Sequence, residues 1–477
     1  MDNTLILSPD GKVLKGVRDK SITSVIVPDG VIEIAGGAFA DCKELINIIL
    51  PKSLRKISTY IDYEHNIDDI SGAFAHCTSL QSIAIPNNVT EIDRGAIENC
   101  HSLKSIAIPN SVTEIGENAF GGTEWLEKQP KGLVVINDIL YSCTDKDATS
   151  IAIPNSVKTI GDAAFEGCTS LKSVDIPNSV TKIGSEAFEG CISLTSIDIP
   201  NSVAKIGGRA FYGCTSLASI DIPNSVTSMG EGIFRGCRSL VSINVPSKIL
   251  ILKSYEVANF DHSFHLEGVF SHCPSIQQID IPNGVLKIEN YTFSECYSLK
   301  TVNISNSVKE IGALAFWNCI SLDEINIATD NLFYYVKEGA LYERLNENES
   351  KLLFVIPARL RGKKEFIVDN KVRIIGKYAF SHSHKTSLEG IKILVLEGIT
   401  RIESDAFSDY YESIKEIHCR AKEDIEKMDI SETAFTDPYF HNEFYDNCVL
   451  YVPSGTRWSY RHHPVWGKFK NIEIEKL

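Results

Sequence analysis

Ile176-Pro177-Asn178-Ser179-Val180-Thr181-Lys182-Ile183-Gly184-Ser185-Glu186-Ala187-Phe188-Glu189-Gly190-Cys191 is copied 23 residues further on, from Ile199-Pro200-Asn201-Ser202-Val203 through Ala210-Phe211 to Cys214. Prolines at 154, 177, 200, 223 and 246 keep that step, as do Cys168, Cys191, Cys214 and Cys237. Outside this block the phase returns after insertions: Pro28 and Pro51 are 23 apart, and so are Pro86 and Pro109. A chain of 477 residues would by length be divided into about three domains. A fixed period repeated this often replaces that reading with a single repeat array.

Each unit has a physical reading. In Leu171-Lys172-Ser173-Val174-Asp175-Ile176 apolar residues alternate at the end, as in a strand with one buried face. Pro177 lacks an N–H and ends the strand, and Asn178-Ser179 supply turn chemistry. Val180 and Ile183 point inward again from a short extended piece on the opposite wall. Gly184 is read as a sharp change of direction, and Ala187-Phe188 as a short helical or 3-10 turn that seats Phe in the core. One coil alone leaves half its apolar surface open, so the coils must stack into a solenoid of parallel strands.

The pattern L-x-x-I-x-I-P-x-x-V-x-x-I-G-x-x-A-F-x-x-C resembles the BspA-like (Treponema pallidum-type) bacterial leucine-rich repeat, over nearly the whole chain from about Val25. The resemblance implies a leucine-rich-repeat solenoid, α/β by convention but mostly β, built as a right-handed curved stack of 23-residue coils. It implies a bacterial cell-surface or secreted protein that binds host proteins, other cells or glycans, with no enzymatic activity. The stretches Gly132 to Tyr141 and Val336 to Tyr342 look like the hairpin insertions of that family, and Leu450 to Thr456 with Trp466 to Ile472 like its terminal cap. Where longer leucine-rich repeats carry an Asn ladder, this chain has a Cys three positions before the strand Leu. Family members usually carry an export signal; Met1 to Lys20 lacks an apolar core, so the location is inferred from the resemblance.

The expected organisation is an N-terminal cap over residues 1–24, repeats over 25–327 with insertions at 58–72, 123–147 and 253–268, and an irregular coil with a hairpin at 328–375. Further repeats are expected at 376–427 and a C-terminal cap at 428–477. With 62 Asp+Glu against 47 Lys+Arg the formal charge is −15, which argues against a nucleic-acid partner. No apolar run is long enough to serve as a transmembrane segment.

Ten of the 13 cysteines occupy one repeat position. Equivalent positions in a parallel stack point the same way, and no C-x-x-C spacing occurs, so a ladder of buried free thiols is favoured over disulfides or metal. Cys168, Cys191, Cys214 and Cys237 are assigned to it, with Phe165, Phe188, Phe211 and Phe234 as a second structural column.

The candidate ligand-binding residues lie at the third and fifth strand positions, which face outward on the concave side. They are Ser173, Asp175, Ser196, Asp198, Ser219, Asp221, Asn244, Asp280 and Asn303. Upstream this track holds Ser and Ala, as in Ser82/Ala84; downstream it turns polar and acidic. Asp175, Asp198 and Asp221 are expected in register about 5 Å apart, where stacked like charges attract cations or basic partner side chains. The plainer reading is that small polar residues keep an exposed sheet soluble.

The insertions carry His65, His262 and His265 among acids, with a solvated loop as the favoured reading over metal. No nucleophile elbow or phosphate-binding glycine loop occurs, so no catalytic residue, cofactor or metal is expected. Two basic stretches, Arg359 to Lys377 and Arg457 to Lys470 with Trp458, Tyr460, Trp466 and Phe469, are read as capping elements in preference to glycan or anionic-surface contacts. The leading function is an adhesin-like module that binds a protein ligand through the concave face. Alternatives are a carbohydrate-binding surface protein of a polysaccharide-uptake system, or a structural scaffold.

Overall fold

The computed structural model describes residues 4–62, 66–258, 264–380, 391–407, 414–422, 424–435 and 443–475. The chain divides into two compact units, residues 1–214 and 215–477.

In the first unit each coil contributes two short strands to two walls. One wall opens with the antiparallel hairpin Leu5–Leu7 and Val13–Val17, on which Glu33–Ile34, Lys56–Ile57, Glu91–Ile92 and Glu114–Ile115 stack in parallel. The hairpin Leu133–Ile136 with Ile139–Cys143 then stands in for a coil, and Thr159–Ile160, Lys182–Ile183 and Lys205–Ile206 follow it. These strands are two residues long because each coil has only Val-x-x-Ile to offer before the chain must turn. Val180, Ile183, Val203 and Ile206 all point into the core. The other wall pairs Ser24–Ile26 with Asn47–Ile49, Ser82–Ala84 with Ser105–Ala107, and Ser150–Ala152 with Ser173–Asp175, each in parallel register.

The turns between the walls stack as well. Phe165 N–H donates to the Ala187 carbonyl and Phe188 N–H to the Ala210 carbonyl, both at 2.8 Å. Each turn closes on itself through an i→i+3 bond such as Cys168 N–H to Phe165 C=O, so these are isolated 3-10-type turns rather than helices. Two residues past each Phe the backbone is left-handed, and Gly190 (φ 69°) has Asn99 (φ 57°) as its equivalent elsewhere. Gly184 has another reason to be glycine. Its φ is not left-handed, but a Cβ there would lie 2.6 Å from the Asp162 backbone nitrogen. The residue is small because the previous coil is close, a correction to the change of direction expected for it.

Phe188 stacks between Phe165 and Phe211 with centroids 5.0 and 5.3 Å away and interplanar angles of 7° and 3°. The rings form a column because one identical side chain recurs at the coil spacing. All 13 thiols are buried and none is in a disulfide. Cys191 and Cys214 donate to the Phe165 and Phe188 carbonyls of the preceding coil at 3.2 Å, and Cys296 and Cys319 to Phe270 and Phe293 at 3.1 and 3.0 Å. The repeated Cys thus fills a small gap and places its weak donor on a turn carbonyl.

The second unit repeats the design. Gln278–Ile281, Thr301–Ile304 and Glu324–Ile327 form one parallel wall, and Ile251–Leu252, Lys287–Ile288 and Glu310–Ile311 the other. Phe234, Phe270, Phe293 and Phe316 stack at 5.5–5.8 Å. An antiparallel trio, Tyr334–Lys337, Ala340–Arg344 and Ser350–Val355, leads into Val372–Ile375, Arg401–Ile402 and Asp429–Ile430. Opposite lies a five-stranded parallel wall of Glu365–Ile367, Ile393–Leu396, Glu416–Cys419, Val449–Val452 and Asn471–Ile474. The helix Arg457–His462 and the turn Trp466–Lys468 close this end, with Tyr460, Trp466 and Phe469 buried and only Trp458 turned outward.

Candidate binding face

The expected binding residues alternate with core residues along the strands, so each follows from the two-residue strand period. In the first unit Ser173 and Asp175 flank buried Val174, and both are exposed. The Ser173 hydroxyl donates to that of Ser150 at 3.0 Å. Ser196 and Asp198 are also exposed. Their strand, however, is not regular: around Ile197 only Asp198 keeps a bridge, and Thr195 N–H reaches the Lys172 carbonyl at 3.4 Å. The unbroken strand pairing expected from the repeat is interrupted here, although the bridge is kept at the carboxylate-bearing position. Asp175 and Asp198 have no ion pair or side-chain hydrogen bond among the described residues.

In the second unit Ser219 pairs with Ser242 across the ladder, and Asp221 is exposed. Asn244 does something else. Its Oδ1 accepts from the Ile222 N–H at 2.8 Å and its Nδ2 donates to the Ile222 carbonyl at 2.7 Å, so its amide replaces a missing stretch of ladder. Asp280 is engaged too: Gln278 Nε2 donates to it at 3.2 Å and Asn303 Nδ2 also donates to it, while Asn326 donates to Asn303 Oδ1 at 2.9 Å. Of the nine residues, Asp175, Asp198 and Asp221 are uncommitted carboxylates, Asn244, Asp280 and Asn303 are tied up in hydrogen bonds of the sheet, and the three serines lie between them along the strands.

Three further features were not singled out from the sequence. Ile26 and Ile49 stand at the first outward positions of the strand face, 69% and 60% exposed, beside a groove of about 1060 Å³ that Leu5, Leu7 and Ile22 also line. Reading the outward positions two coils earlier, from Ser24 and Asn47, would have found them. In the second unit His418 stacks on Tyr451 and lies between Glu475, at 3.2 Å, and Glu416, at 3.4 Å; Arg420 joins Glu475 to Glu397. That cluster needs register across irregular coils, which no sequence period supplies. On the turn side of the first unit, the insertion coil brings Tyr141 against Phe120 in place of a Phe turn. A cleft of about 510 Å³ opens there, lined by Glu117, Asn118, Asp162 and Glu166. Burial pushes the Glu117 carboxyl up to about 7 against the pull of Arg94, with Glu186 and Glu166 adding to the rise. Arg94 lies 3.1 Å from it and Asn118 donates to it at 2.8 Å.

Among the described residues no group of three or more His, Cys, Asp and Glu is placed to hold a metal ion. His65 and His262 lie outside the described residues, as does the side chain of His265. Of the first basic stretch, Arg359 pairs with Asp323 and Glu324, Arg361 donates to the Ile320 carbonyl, Arg373 pairs with Glu349 and Lys377 reaches Asp405 at 4.0 Å. Among the described residues no helix is long and apolar enough to cross a membrane.

Parallel coils, a Phe column, a Cys column and an outward polar track define a leucine-rich-repeat solenoid. The model of the BspA type leucine rich repeat region matches it in six copies, over residues 17–127, 134–262, 266–349 and 362–444. The chain belongs to the BspA-type leucine-rich-repeat family. No curated protein sequence matches it. Among solved structures it is similar to a leucine-rich repeat protein from Bacteroides ovatus, with 22% identity over 91% of this chain and 97% of the other and a TM-score of 0.42. It is similar also to a leucine-rich cell surface protein from Faecalibacterium prausnitzii, with 22% identity over 100% and 98% and a TM-score of 0.33. A third is the leucine-rich repeat protein of T. pallidum, with 20% identity over 62% and 86% and a TM-score of 0.27. The chain is a repeat-built interaction module of a non-enzymatic scaffold class.

Proposed function

We propose that the chain is an adhesin-like binding module, displayed at a bacterial surface or secreted, that recognises a host or neighbouring-cell protein through its outward strand face. The reading is carried by the uncommitted carboxylates of that face. Asp175 and Asp198 are exposed at the same position of successive coils with no partner among the described residues. Placing like charges there weakens the strand pairing, so a folding role does not account for them. A basic protein segment would relieve the repulsion and gain charge-assisted hydrogen bonds. Family membership supports a surface location and a protein ligand. A neutral glycan would need aromatic platforms, and the outward positions from Ser24 to Asn326 hold none.

The test is a binding screen against extracellular-matrix and cell-surface proteins, followed by Asp175→Lys with Asp198→Lys. Reversing two charges should weaken the captured partner by at least about tenfold, mainly through association rate at low salt. Unchanged binding by a folded double variant overturns the reading.

A further inference from the structure

The wall that closes the second unit stacks three lysines, of which Lys392 and Lys415 keep the 23-residue step and Lys364 stands 28 residues before Lys392. Lys364, Lys392 and Lys415 each stand one residue before a strand, and the backbone fixes their register. Lys392 N–H donates to the Lys364 carbonyl and Lys415 N–H to the Lys392 carbonyl, both at 2.8 Å. They are therefore ladder neighbours, about 4.8 Å apart per coil. All three are exposed, and none has an ion pair among the described residues. Their neighbours in the basic stretch are engaged, Arg359 and Arg373 with carboxylates and Arg361 with a carbonyl. Lys364 is thus left without an ion pair among the described residues, and Lys392 and Lys415 continue its column beyond that stretch. At the equivalent position elsewhere lysines stand singly: Lys172 lies between Thr149 and Thr195, and Lys300 follows Gln277 and precedes Asp323.

We propose that Lys364, Lys392 and Lys415 form a binding track for a linear acidic polysaccharide, a surface separate from the acidic one proposed above. Three ammonium groups in single file match a chain that repeats one anion per unit, and each can turn its donors onto a sulfate or carboxylate. In the next column Glu365 and Glu416 are separated by Ile393, so no continuous acidic row neutralises the lysines. The alternatives fit less well. Single-stranded nucleic acid needs stacking aromatics beside the charges, and the two columns hold none. An acidic helix needs an apolar groove to lie in, and Ile393 alone does not make one.

The experiment is a titration of the full chain with a fluorescent heparin oligosaccharide at several salt concentrations, with a neutral dextran oligosaccharide and an oligothymidylate as parallel arms. Binding should be confined to the acidic sugar. In the variant Lys364→Gln with Lys392→Gln and Lys415→Gln it should fall by at least about tenfold, and the slope of log K against log salt should drop by about two. Lys172→Gln with Lys300→Gln removes two isolated lysines and should leave binding unchanged. The proposal is overturned if the native chain does not bind the acidic sugar, or if the oligothymidylate binds as tightly. It is overturned equally if the triple variant binds like the native chain, or if the Lys172 and Lys300 pair costs as much. The acidic-face reading is judged on its own protein partner, so either can fail alone.

Discussion

Replacing Phe188 by Ala removes a ring that is stacked on both faces and should loosen the fold locally rather than throughout. Phe188 is fully buried, with Phe165 at 5.0 Å and Phe211 at 5.3 Å, both nearly parallel. Truncating a buried Phe costs about 3–5 kcal/mol, with the upper end reached where the site cannot collapse. Collapse is restrained here because backbone hydrogen bonds hold the flanking turns at the coil spacing, Phe165 N–H to Ala187 and Phe188 N–H to Ala210. Phe188→Leu keeps most of the volume and loses two stacked pairs at about 0.5–1.5 kcal/mol each, so it should cost about 1–3 kcal/mol. In a solenoid each coil touches only its neighbours, so the loss should stay near the mutated coil. Amide hydrogen exchange resolves this. Protection of Phe165, Gly167, Phe188 and Gly190, whose N–H groups bond across the turns, should fall by roughly a hundredfold to a few thousandfold in Phe188→Ala. Phe39, which donates to Ala73 several coils away, should be unaffected. If protection drops equally at Phe39, the unit melts as one and the nearest-neighbour argument is wrong. If Phe188→Leu exchanges like the native chain, the stacked geometry contributes nothing beyond volume.

Two further predictions concern titrating groups. Cys143 is held down at about 7, chiefly by a hydrogen bond from the Cys168 thiol that outweighs burial, whereas burial pushes Cys191 and Cys296 up to about 12. Because all 13 thiols are buried, limiting iodoacetamide should label the native chain only as local opening admits it, first at Cys143 whose thiolate forms nearest neutral pH, and all 13 should label once the chain is unfolded. Peptide mapping that finds Cys191 labelled as fast as Cys143 contradicts this. For Glu117 the folded carboxyl at about 7 lies above its unfolded value near 4.5. Below pH 4.5 both states hold the proton and burial carries no penalty. Between 4.5 and 7 the unfolded state releases it first, so this group lowers stability as pH rises, by on the order of 3 kcal/mol in full. Glu117→Gln should gain on the native chain in denaturant midpoint from pH 5 to pH 7.5; a constant difference across that range refutes the assignment.

What the sequence made legible is what the period controls. Phe188 and Cys191 recur every 23 residues, and any residue that recurs at the coil step must stack on its own copy, so both columns followed from spacing alone. The outward track followed from the two-residue alternation around Val174. Other features depend on contacts that no period encodes. Asn244 bonds to the Ile222 backbone because its coil leaves a ladder gap, and the interruption around Ile197 depends on what its neighbours present. The glycine after each Val-x-x-Ile looked like a turn residue, yet at Gly184 the deciding fact is a backbone atom 2.6 Å from an imagined Cβ. Lys364 and Lys392 are 28 residues apart, off the regular step, so their stacking emerges only when hydrogen bonds set the register.

That difference bears on where function can reside in such a fold. A buried column is constrained at every coil: a large apolar side chain must meet its counterpart, Phe in most coils and Ile97 in one, and the repeated thiols meet a turn carbonyl. An exposed column has no such constraint, yet the stack still places each side chain against its counterpart one coil away. Charge written once per coil therefore becomes a line of charge, acidic at Asp175 and Asp198 in one unit and basic at Lys364, Lys392 and Lys415 in the other. Because like charges side by side cost stability, folding alone would not favour either line. Both lines instead have the periodicity that an extended partner of opposite charge can follow, and a change of one residue in one coil alters one step of that match while the core columns stay as they are.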